Sequence, residues 1–303
     1  MLSARLADVD VYLLDGTYEL FRHHFALPSH VTAEKREVAA TRGVLGSVLG
    51  MLESGVTHLG VATDHVIESF RNGMWPGYKT SAGVDPRLLQ QFPLLEEALE
   101  ALGVVVWPMV DLEADDALAA AAALASAEPT VERVYICTPD KDLGQCVKGE
   151  RIVQLNRRTR VVLDESGIVA KFGVAPGSIP DYLALVGDSA DGYPGLPGWG
   201  ARSTATVLAR WPRFEAFPPD CAAWNVDVRW VERLCRTFAT ERDRAYLFRD
   251  LATLRSDEPL FESVGALRWA GARPSFEAVA RRLEAPGLAQ RAGRLAVGRD
   301  SPA

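Results

Sequence analysis

Acidic side chains follow several predicted strands of this chain, and these are the residues best placed to do chemistry. Asp15 and Asp64 each come directly after a short apolar run rich in β-forming residues, and Asp140 and Asp142 follow a third such run. Because ligands bind at the carboxyl ends of parallel strands, these acids are expected to converge on one edge of a sheet. Acids at the start of one helix and after an apolar helical run extend the set: Glu113, Asp115, Asp116, Asp188 and Asp191.

Divalent metal binding is the chemistry that this set fits best. Each acid taken alone has a simpler interpretation, because acids complement the dipole of a helix start, cap helices and occur in turns. Together, clustered carboxylates repel one another, so that without cations some of them would stay protonated. Oxygen ligands at this density suit Mg²⁺ or Mn²⁺. Two such ions about 4 Å apart activate water and clamp the oxygens of a phosphodiester, so metal-dependent phosphodiester hydrolysis is predicted.

Several other reaction classes lack the residues that they need. The five histidines have no HExxH-like spacing, and no GxxxxGK[ST] motif indicates a nucleoside triphosphatase. A phosphoaspartyl route would need an Asp two residues before Asp15, where the chain has Leu13. The four cysteines form no CxxC pair, so the sequence indicates neither a zinc site nor a disulfide framework.

A glycine-rich stretch from Val174 to Trp211 predicts a clamp for a phosphate backbone. An apolar helical run ends at Gly187, a loop of glycines and prolines follows, and a second helix begins near Ala201. Glycines let a backbone approach a ligand closely, and a helix N-terminus offers unpaired N–H groups. The candidate contacts are Gly195, Gly198, Gly200, Arg202, Ser203 and Thr204. An ordinary helix–loop–helix turn is the simpler alternative.

The order of predicted elements indicates an α/β half followed by a helical half. Strands are predicted at 9–14, 58–63, 104–107 and 131–137, alternating with helices at 19–25, 32–53, 86–102 and 111–127. This alternation predicts a parallel sheet flanked by helices. Residues 152–156 and 161–163 predict a β-hairpin, after which the strand pattern disappears. The expected domains are an α/β core over 1–170 and a helical domain over 171–303, with the clamp at about 178–210.

Composition adds few restrictions. The chain has 303 residues with a formal net charge of −7, and its 48% hydrophobic and 24% charged content is ordinary for a globular protein. A negative net charge argues against a polyanionic partner, but metal-binding carboxylates account for much of it. The N-terminus lacks the apolar stretch of a signal peptide, and the longest apolar run, Ala117 to Ala125, is too short to span a bilayer. A cytoplasmic protein without membrane contact is expected.

Five motifs occur along the chain in a distinctive order. They are Asp15-Gly16, the SFR and YK of residues 69–79, EADD at 113–116, TPDKDL at 138–143 and GDSADGYPGLPGWG at 187–200. Together they resemble the bacterial 5′–3′ exonuclease and flap endonuclease family, which includes the N-terminal nuclease domain of DNA polymerase I. The resemblance runs from about Val9 to about Leu288. It implies a PIN-like or resolvase-like parallel sheet flanked by helices, then an α-helical domain with a helix–turns–helix element, in a stand-alone nuclease.

The resemblance also implies roles for individual residues. A first metal group is matched by Asp15, Asp64, Glu113 and Asp115, and a second by Asp140, Asp142, Asp188 and Asp191, with Asp116 beside the shared helix end. Arg22 and Lys79 match basic residues that approach the scissile phosphate, where cations stabilise developing charge. A solvated surface lysine is the alternative for Lys79. The implied cofactors are two Mg²⁺ ions, with Mn²⁺ as a substitute, and a K⁺ ion at the helix–turns–helix element.

Residues 65–85 correspond to the arch under which the 5′ strand threads in the family. Arg71 and Tyr78 are the expected DNA contacts in this segment. The rings of Phe70, Trp75 and Tyr78 are candidates to stack on unpaired bases, with local packing as the alternative.

Three departures from the family pattern concern substrate binding. Ala82 stands where the family often has an arginine, Gly192 replaces the usual asparagine, and GWGARSTA replaces a common GIGxKTA. Arg202 is expected to replace the lysine of that last motif as a phosphate contact, with its charge on a different side chain.

The expected partner is DNA with 5′ ends, flaps or nicks, with a DNA polymerase acting in trans. A ribonuclease of the related PIN-like type, or a nuclease of RNA ends, is the alternative, although PIN proteins are usually compact. A non-catalytic nucleic-acid-binding module is a further alternative, which the complete set of acids disfavours.

Overall fold

The computed structural model describes residues 9–299, with side chains through residue 296, as two compact units. The first unit comprises the residues up to 67, residues 81–138 and the residues from 256 onward. The second unit comprises residues 68–80 and 139–255. We describe each unit by itself.

A parallel sheet forms the centre of the first unit. Its strands are β1 (Val9–Asp15), β2 (His58–Asp64), β3 (Val105–Met109) and β4 (Val131–Cys137). They are parallel and lie in the order β3-β2-β1-β4. Every residue of β2 is buried, as expected of a strand covered on both faces. The alternating strand and helix pattern therefore predicted the sheet correctly.

Helices flank this sheet, some in contact with its strands and others packed on those helices or on one another. They are α1 (Gly16–Ala26), α2 (Ala39–Glu53), α3 (Pro86–Leu89), α4 (Gln91–Ala101), α5 (Ala114–Ala127), α11 (Phe276–Arg282) and α12 (Pro286–Arg299). The alanine-rich α5 contacts all four strands of the unit, because its short side chains let it approach the sheet closely. The loops that carry the acids are therefore attached to a rigid scaffold of sheet and helices.

Several helix boundaries differ from the predicted ones, and α1 begins at Gly16 and not at residue 19. The helix predicted from residue 32 begins only at Ala39, because Val31 pairs with Glu37 in a β-bridge and Lys35 between them has a φ of 62°. The helix predicted over 86–102 is interrupted at Gln90, and Pro93 lacks the N–H that a continuous helix would donate four residues back. The helix predicted from residue 111 begins at Ala114.

The second unit is mainly helical. A two-stranded antiparallel hairpin of β5 (Ile152–Asn156) and β6 (Val161–Leu163) confirms the predicted hairpin. Its helices are α6 (Glu165–Phe172), α7 (Ile179–Val186), α8 (Ala201–Arg210), α9 (Val231–Thr240) and α10 (Arg242–Ala252). Helix α7 is buried along most of its length and packs against α8 and α10. One aromatic-rich core, which includes Tyr193, Phe214, Trp224 and Phe248, joins these helices.

A disulfide corrects one expectation from the sequence. Cys221 and Cys235 are bonded, with their Cα atoms 5.6 Å apart, although no CxxC pattern indicated a pair. Cys221 opens a short 3₁₀ turn, Cys221–Trp224, and Cys235 lies on the buried face of α9, which contacts that turn. The pair therefore arises from packing of the two segments. No helix within the described part of the chain is long and apolar enough to cross a membrane.

Candidate functional site

The strand ends of the first unit carry acids that are fixed by hydrogen bonds. Asp15 ends β1 and caps α1: its Oδ1 accepts the amide N–H of Tyr18 at 2.7 Å and its Oδ2 accepts the hydroxyl of Thr138 at 2.8 Å. Asp64 ends β2, and its Oδ1 accepts the amide N–H of Ala114, the first residue of α5, at 2.7 Å. These bonds join the ends of β1 and β2 to the segments that follow β4 and β3, so Asp15 and Asp64 lie at the carboxyl-end edge of the sheet.

The acids at the start of α5 have different surroundings. Oδ2 of Asp116 accepts the amide N–H of Glu113 at 2.9 Å, so Asp116 caps the start of α5. Asp116 is fully buried and Glu113 is 4% exposed. Asp115, between them, is only partly buried. Capping also explains why α5 begins at residue 114 and not at 111.

A tighter group of acids lies in the second unit. Asp142, Asp188 and Asp191 each offer a carboxylate oxygen, and these oxygens all lie within 4.8 Å of one another. Asp142 opens the 3₁₀ turn Asp142–Cys146 after β4, whereas Asp188 and Asp191 follow the C-terminal end of α7. The exposed Asp140 accepts the amide N–H of Asp142 through Oδ1 at 3.0 Å and so shapes the turn. We call Asp142, Asp188 and Asp191 the acid cluster.

The electrostatics of the acid cluster favour a bound cation. Burial raises the pKa of Asp142 well above its usual range, and the charges of Asp140, Asp191 and Asp188 raise it further, against the opposing charge of Lys141. Oδ1 of Asp142 is buried without a hydrogen-bond partner among the described residues. A divalent ion would satisfy this oxygen and offset the repulsion, so the residues present fit an oxygen-coordinated metal.

Two lysines pair with this cluster. The ammonium group of Lys141 contacts Oδ2 of Asp188, and Nζ of Lys79 lies 3.3 Å from Oδ1 of Asp191. Burial acts to lower the pKa of Lys141, but the hydrogen bond to Asp188 and the charges of the nearby acids outweigh it and raise that pKa. Lys141 therefore carries its charge beside the acid cluster.

Residues 68–80 dock on the loop that carries Asp191. The amide of Lys79 donates to the carbonyl of Asp191 at 3.0 Å, and the indole N–H of Trp75 donates to the carbonyl of Gly192 at 3.0 Å. Gly192 has a φ of +85°, and a β-carbon there would lie 2.0 Å from the carbonyl oxygen of Gly77. This close approach and the positive φ explain why a glycine stands at residue 192.

The structure places two predicted DNA contacts of this segment in the interior. Arg71 is 1% exposed, and its guanidinium donates to the carbonyls of Leu251 and Thr253 at 2.9 and 3.2 Å. Tyr78 is 3% exposed and belongs to the aromatic-rich core. From these positions neither side chain is available to a nucleic acid, and the position of Tyr78 matches the packing alternative.

The other two aromatic rings of the segment are also packed. The ring of Trp75 lies edge-on to Phe248, with centroids 5.1 Å apart. The ring of Phe70 is contacted by the guanidinium groups of Arg71 and Arg255, at 4.6 and 5.2 Å from its centroid. These contacts again match the packing alternative more closely than base stacking.

Arg22 lies on α1, in the first unit, beside a buried acid that sequence reasoning overlooked. Its guanidinium pairs with Glu19, which is 1% exposed, and lies 2.8 Å from the His23 ring nitrogen. Glu19 follows Asp15 by one helical turn, and that spacing was the available signal. The pairing holds Arg22 on the face of α1 that carries Glu19.

The predicted clamp divides into interior and exposed residues. Gly195 is buried, and a β-carbon there would lie 2.5 Å from the carbonyl oxygen of Leu185, so it serves the packing of the loop on α7. Thr204 is also fully buried, and its hydroxyl has no hydrogen-bond partner among the described residues. Ser203 accepts the amide N–H of Gly200 at 3.2 Å and so caps α8.

A cavity of about 630 Å³ opens at the N-terminus of α8. Among the predicted contacts, its lining includes Gly198, Gly200, Arg202 and Ser203. Arg229 lies on the same wall and was not predicted, because it is 27 residues from Arg202 in the sequence and belongs to no motif. The lining also includes the carboxylate of Asp227, which opposes an anion, but two guanidinium groups outnumber it and, with hydroxyls and backbone N–H groups, suit a phosphate.

Comparisons with known proteins agree with this arrangement. The sequence matches the family described as 5′-3′ exonuclease, N-terminal resolvase-like domain, over residues 10–173 and its C-terminal SAM fold over residues 174–275. A protein of Aquifex aeolicus named 5′-3′ exonuclease is 32% identical over 207 residues, which are 68% of this chain and 71% of that protein. DNA polymerase I of Pseudomonas aeruginosa is 30% identical over 84% of this chain, which spans only 28% of that relative's length.

Solved structures show the same fold at low identity. The T5 D15 protein co-crystallised with metal ions aligns with a TM-score of 0.63 at 15% identity, covering 94% of this chain and 98% of that one. The catalytic core of Rad2 in complex with a DNA substrate aligns with a TM-score of 0.59 at 14% identity, covering 96% and 93%. The family models together cover residues 10–275, so the chain belongs to the 5′-3′ exonuclease family.

Proposed function

We propose that this chain is a metal-dependent 5′ nuclease that hydrolyses phosphodiester bonds of DNA at 5′ ends, flaps and nicks. The observation that carries the proposal is the acid cluster, in which three carboxylates approach within 4.8 Å and one buried oxygen of Asp142 has no hydrogen-bond partner within the described part of the chain. Membership of the 5′-3′ exonuclease family and the named activity of the Aquifex aeolicus relative support the reaction class.

Two groups of acids would hold the ions. One ion would be bound by the acid cluster, Asp142, Asp188 and Asp191, with Asp140 shaping the turn of Asp142. We propose that another ion is bound in the first unit by Asp15, Asp64, Glu113 and Asp115, with Asp116 capping the helix beside them. Mg²⁺ is the proposed ion and Mn²⁺ its substitute, because all the donors are carboxylate oxygens. When bound, such ions lower the pKa of water and polarise a phosphoryl oxygen.

The chain's own cations would bind the phosphate. Lys79 is the proposed contact for the scissile phosphate, since its ammonium already lies 3.3 Å from Asp191 at the edge of the acid cluster. Arg22, held by Glu19, is proposed for the same role from the first unit. A preorganised cation stabilises the charge that develops on the phosphate oxygens as the bond breaks.

The cavity at the start of α8 is proposed to grip the phosphate backbone of a duplex. Arg202 and the first amides of α8 would contact phosphate oxygens, which fixes position without reading sequence. Gly198 and Gly200 keep this approach open because they carry no side chain. We propose that the K⁺ ion implied by the family resemblance binds at the same turn.

The domain division and the partners are also proposals. A nuclease core over 1–170 followed by a helical DNA-binding domain over 171–303 is supported by the meeting of the two family matches between residues 173 and 174. A DNA polymerase acting in trans is proposed because relatives named DNA polymerase I contain a matching segment.

The test is a nuclease assay on end-labelled 5′-flap, nicked and gapped DNA, with Mg²⁺ or with EDTA. We expect cleavage that requires Mg²⁺, is abolished in Asp142→Asn, and is unchanged in the matched control Asp243→Asn, an exposed acid of α10. Cleavage that survives EDTA would refute the metal mechanism. Faster cleavage of RNA or RNA–DNA hybrid ends than of DNA would favour the ribonuclease alternative, and binding without any cleavage would favour the non-catalytic one.

A further inference from the structure

Lys141 lies within the acid cluster, and the proposed reaction gives it no role. It stands between Asp140 and Asp142 in the sequence, and its ammonium group pairs with Asp188. Its side chain is 35% exposed, whereas Asp142 and Asp188 are 5% and 4% exposed. It is one of only 5 lysines among the 33 basic residues of the chain. A long, flexible cation at this place is therefore a specific feature of the cluster.

The carboxylate oxygens of the acid cluster differ in the hydrogen bonds and ion pairs that they already make. Oδ1 of Asp188 accepts the amide N–H of Ala190 at 2.9 Å, and its Oδ2 contacts Lys141. Asp142 differs, since its Oδ1 is buried without a hydrogen-bond partner among the described residues. A divalent ion that enters the cluster at Asp142 and binds Asp188 through Oδ2 must share that oxygen with the ammonium group or displace it.

We propose that Lys141 is a positioning residue that acts as a built-in cation: it holds Asp188 in the metal-free protein and lowers the affinity of the acid cluster for a divalent ion. This rests on the proposed function, because it takes Asp142, Asp188 and Asp191 as the ligands. The ammonium group offsets part of the repulsion among the acids when no ion is bound. It opposes an incoming ion both by like-charge repulsion and by competition for Oδ2.

The direction of the effect separates this role from a merely structural one. If Lys141 only held Asp188 in place, its removal would let that ligand drift and weaken metal binding. If Lys141 acts as a competing charge, its removal tightens metal binding and makes the metal-free protein less stable, because the acids are then less well compensated. Metal affinity and metal-free stability should therefore change in opposite directions.

The experiment is a titration of the full chain with Mn²⁺ alone, without DNA, followed by electron paramagnetic resonance of the free ion. We expect Lys141→Gln to bind Mn²⁺ about tenfold more tightly than the wild type, since a unit charge within roughly 4 Å of a divalent ion is removed. Lys141→Arg keeps the charge and should stay within about threefold of the wild type. The matched control is Lys148→Gln, an exposed lysine of the same unit, which should leave the affinity unchanged.

Two results would overturn the inference: Mn²⁺ binding in Lys141→Gln that is unchanged or weaker, or equal tightening in Lys141→Gln and Lys141→Arg. A further experiment needs only the wild-type protein and so tests the proposal even if the variants fail to fold. Amine-reactive labelling followed by mass spectrometry should modify Lys141 faster once Mn²⁺ is added, with Lys148 unaffected, and equal labelling of Lys141 in both states contradicts the proposal. Failure of the wild type to bind Mn²⁺, or full binding by Asp142→Asn, would instead refute the metal centre and the proposed function.

Discussion

A methyl group at Gly192 is predicted to break the contact between residues 68–80 and the loop that carries Asp191. A β-carbon at Gly192 would lie 2.0 Å from the carbonyl oxygen of Gly77 and 3.1 Å from its carbonyl carbon. Because heavy atoms in good contact stay about 3.5 Å apart, one backbone has to move by roughly 1.5 Å. The obstacle is main chain, so no change of rotamer relieves it.

The cost of Gly192→Ala follows from what that movement removes. Two hydrogen bonds of 3.0 Å are lost, from Trp75 to the Gly192 carbonyl and from the Lys79 amide to the Asp191 carbonyl, at about 1 kcal/mol each. The φ of +85° adds roughly 1 kcal/mol for any residue with a β-carbon. The partly exposed ion pair between Lys79 and Asp191 adds less than about 1 kcal/mol. We expect a loss of about 3 kcal/mol in the free energy of unfolding.

Gly198 provides the matched control, because it has the same φ of +85° but the nearest atom to its β-carbon would be Leu234 Cδ2, at 3.8 Å. Gly198→Ala should therefore show the backbone cost alone, roughly 1 kcal/mol. Urea unfolding followed by tryptophan fluorescence measures both variants. Equal losses in Gly192→Ala and Gly198→Ala would refute the reasoning, because the overlap with Gly77 would then cost nothing.

Three further predictions concern the second unit. Burial raises the pKa of Asp181 to about 6 despite two nearby arginines, so the charged form is the costly one. The unfolding free energy of the wild type, relative to that of Asp181→Asn, should therefore fall by up to about 3 kcal/mol as the pH rises from about 4 to 7. A pH-independent difference between the two proteins in urea unfolding would contradict this. The bond between Cys221 and Cys235 closes a short loop, so its reduction by dithiothreitol should lower the free energy of unfolding by about 3 kcal/mol. Dithiothreitol should have no such effect on a variant in which both Cys221 and Cys235 are replaced by serine. Arg202→Ala should weaken DNA binding and flatten its dependence on salt by about one counterion; an unchanged slope in fluorescence anisotropy would remove Arg202 from the clamp.

The sheet and the first-unit acids could be predicted because their signals are local. An apolar run of β-forming residues specifies a strand by itself, and an acid directly after such a run can only lie at the strand's carboxyl end. Asp15 and Asp64 were therefore placed correctly without any knowledge of their neighbours. Helix starts were less predictable, because the β-bridge between Val31 and Glu37 and the capping of α5 by Asp116 depend on contacts that hydrophobic periodicity does not carry.

The acid cluster was predictable as a set of residues but not as a geometry. The family resemblance indicated that Asp142, Asp188 and Asp191 belong together with Asp140. It could not show that Asp188 is paired with Lys141 while one oxygen of Asp142 has no hydrogen-bond partner among the described residues. Such differences depend on side-chain positions within about an ångström. They decide where a cation enters, which is why the inference about Lys141 needed the structure.

Arg71 shows the limit of local reasoning most clearly. An arginine among aromatic residues in a polar stretch looks the same whether it faces DNA or packs inside. What decides is a partner about 180 residues away: Leu251 and Thr253, at the end of α10, offer carbonyls that the helix itself leaves unpaired, and the guanidinium satisfies them where the helix dipole favours positive charge. A loss of DNA binding in an Arg71 variant would therefore have to be separated from a loss of folding before it could be assigned to the interface.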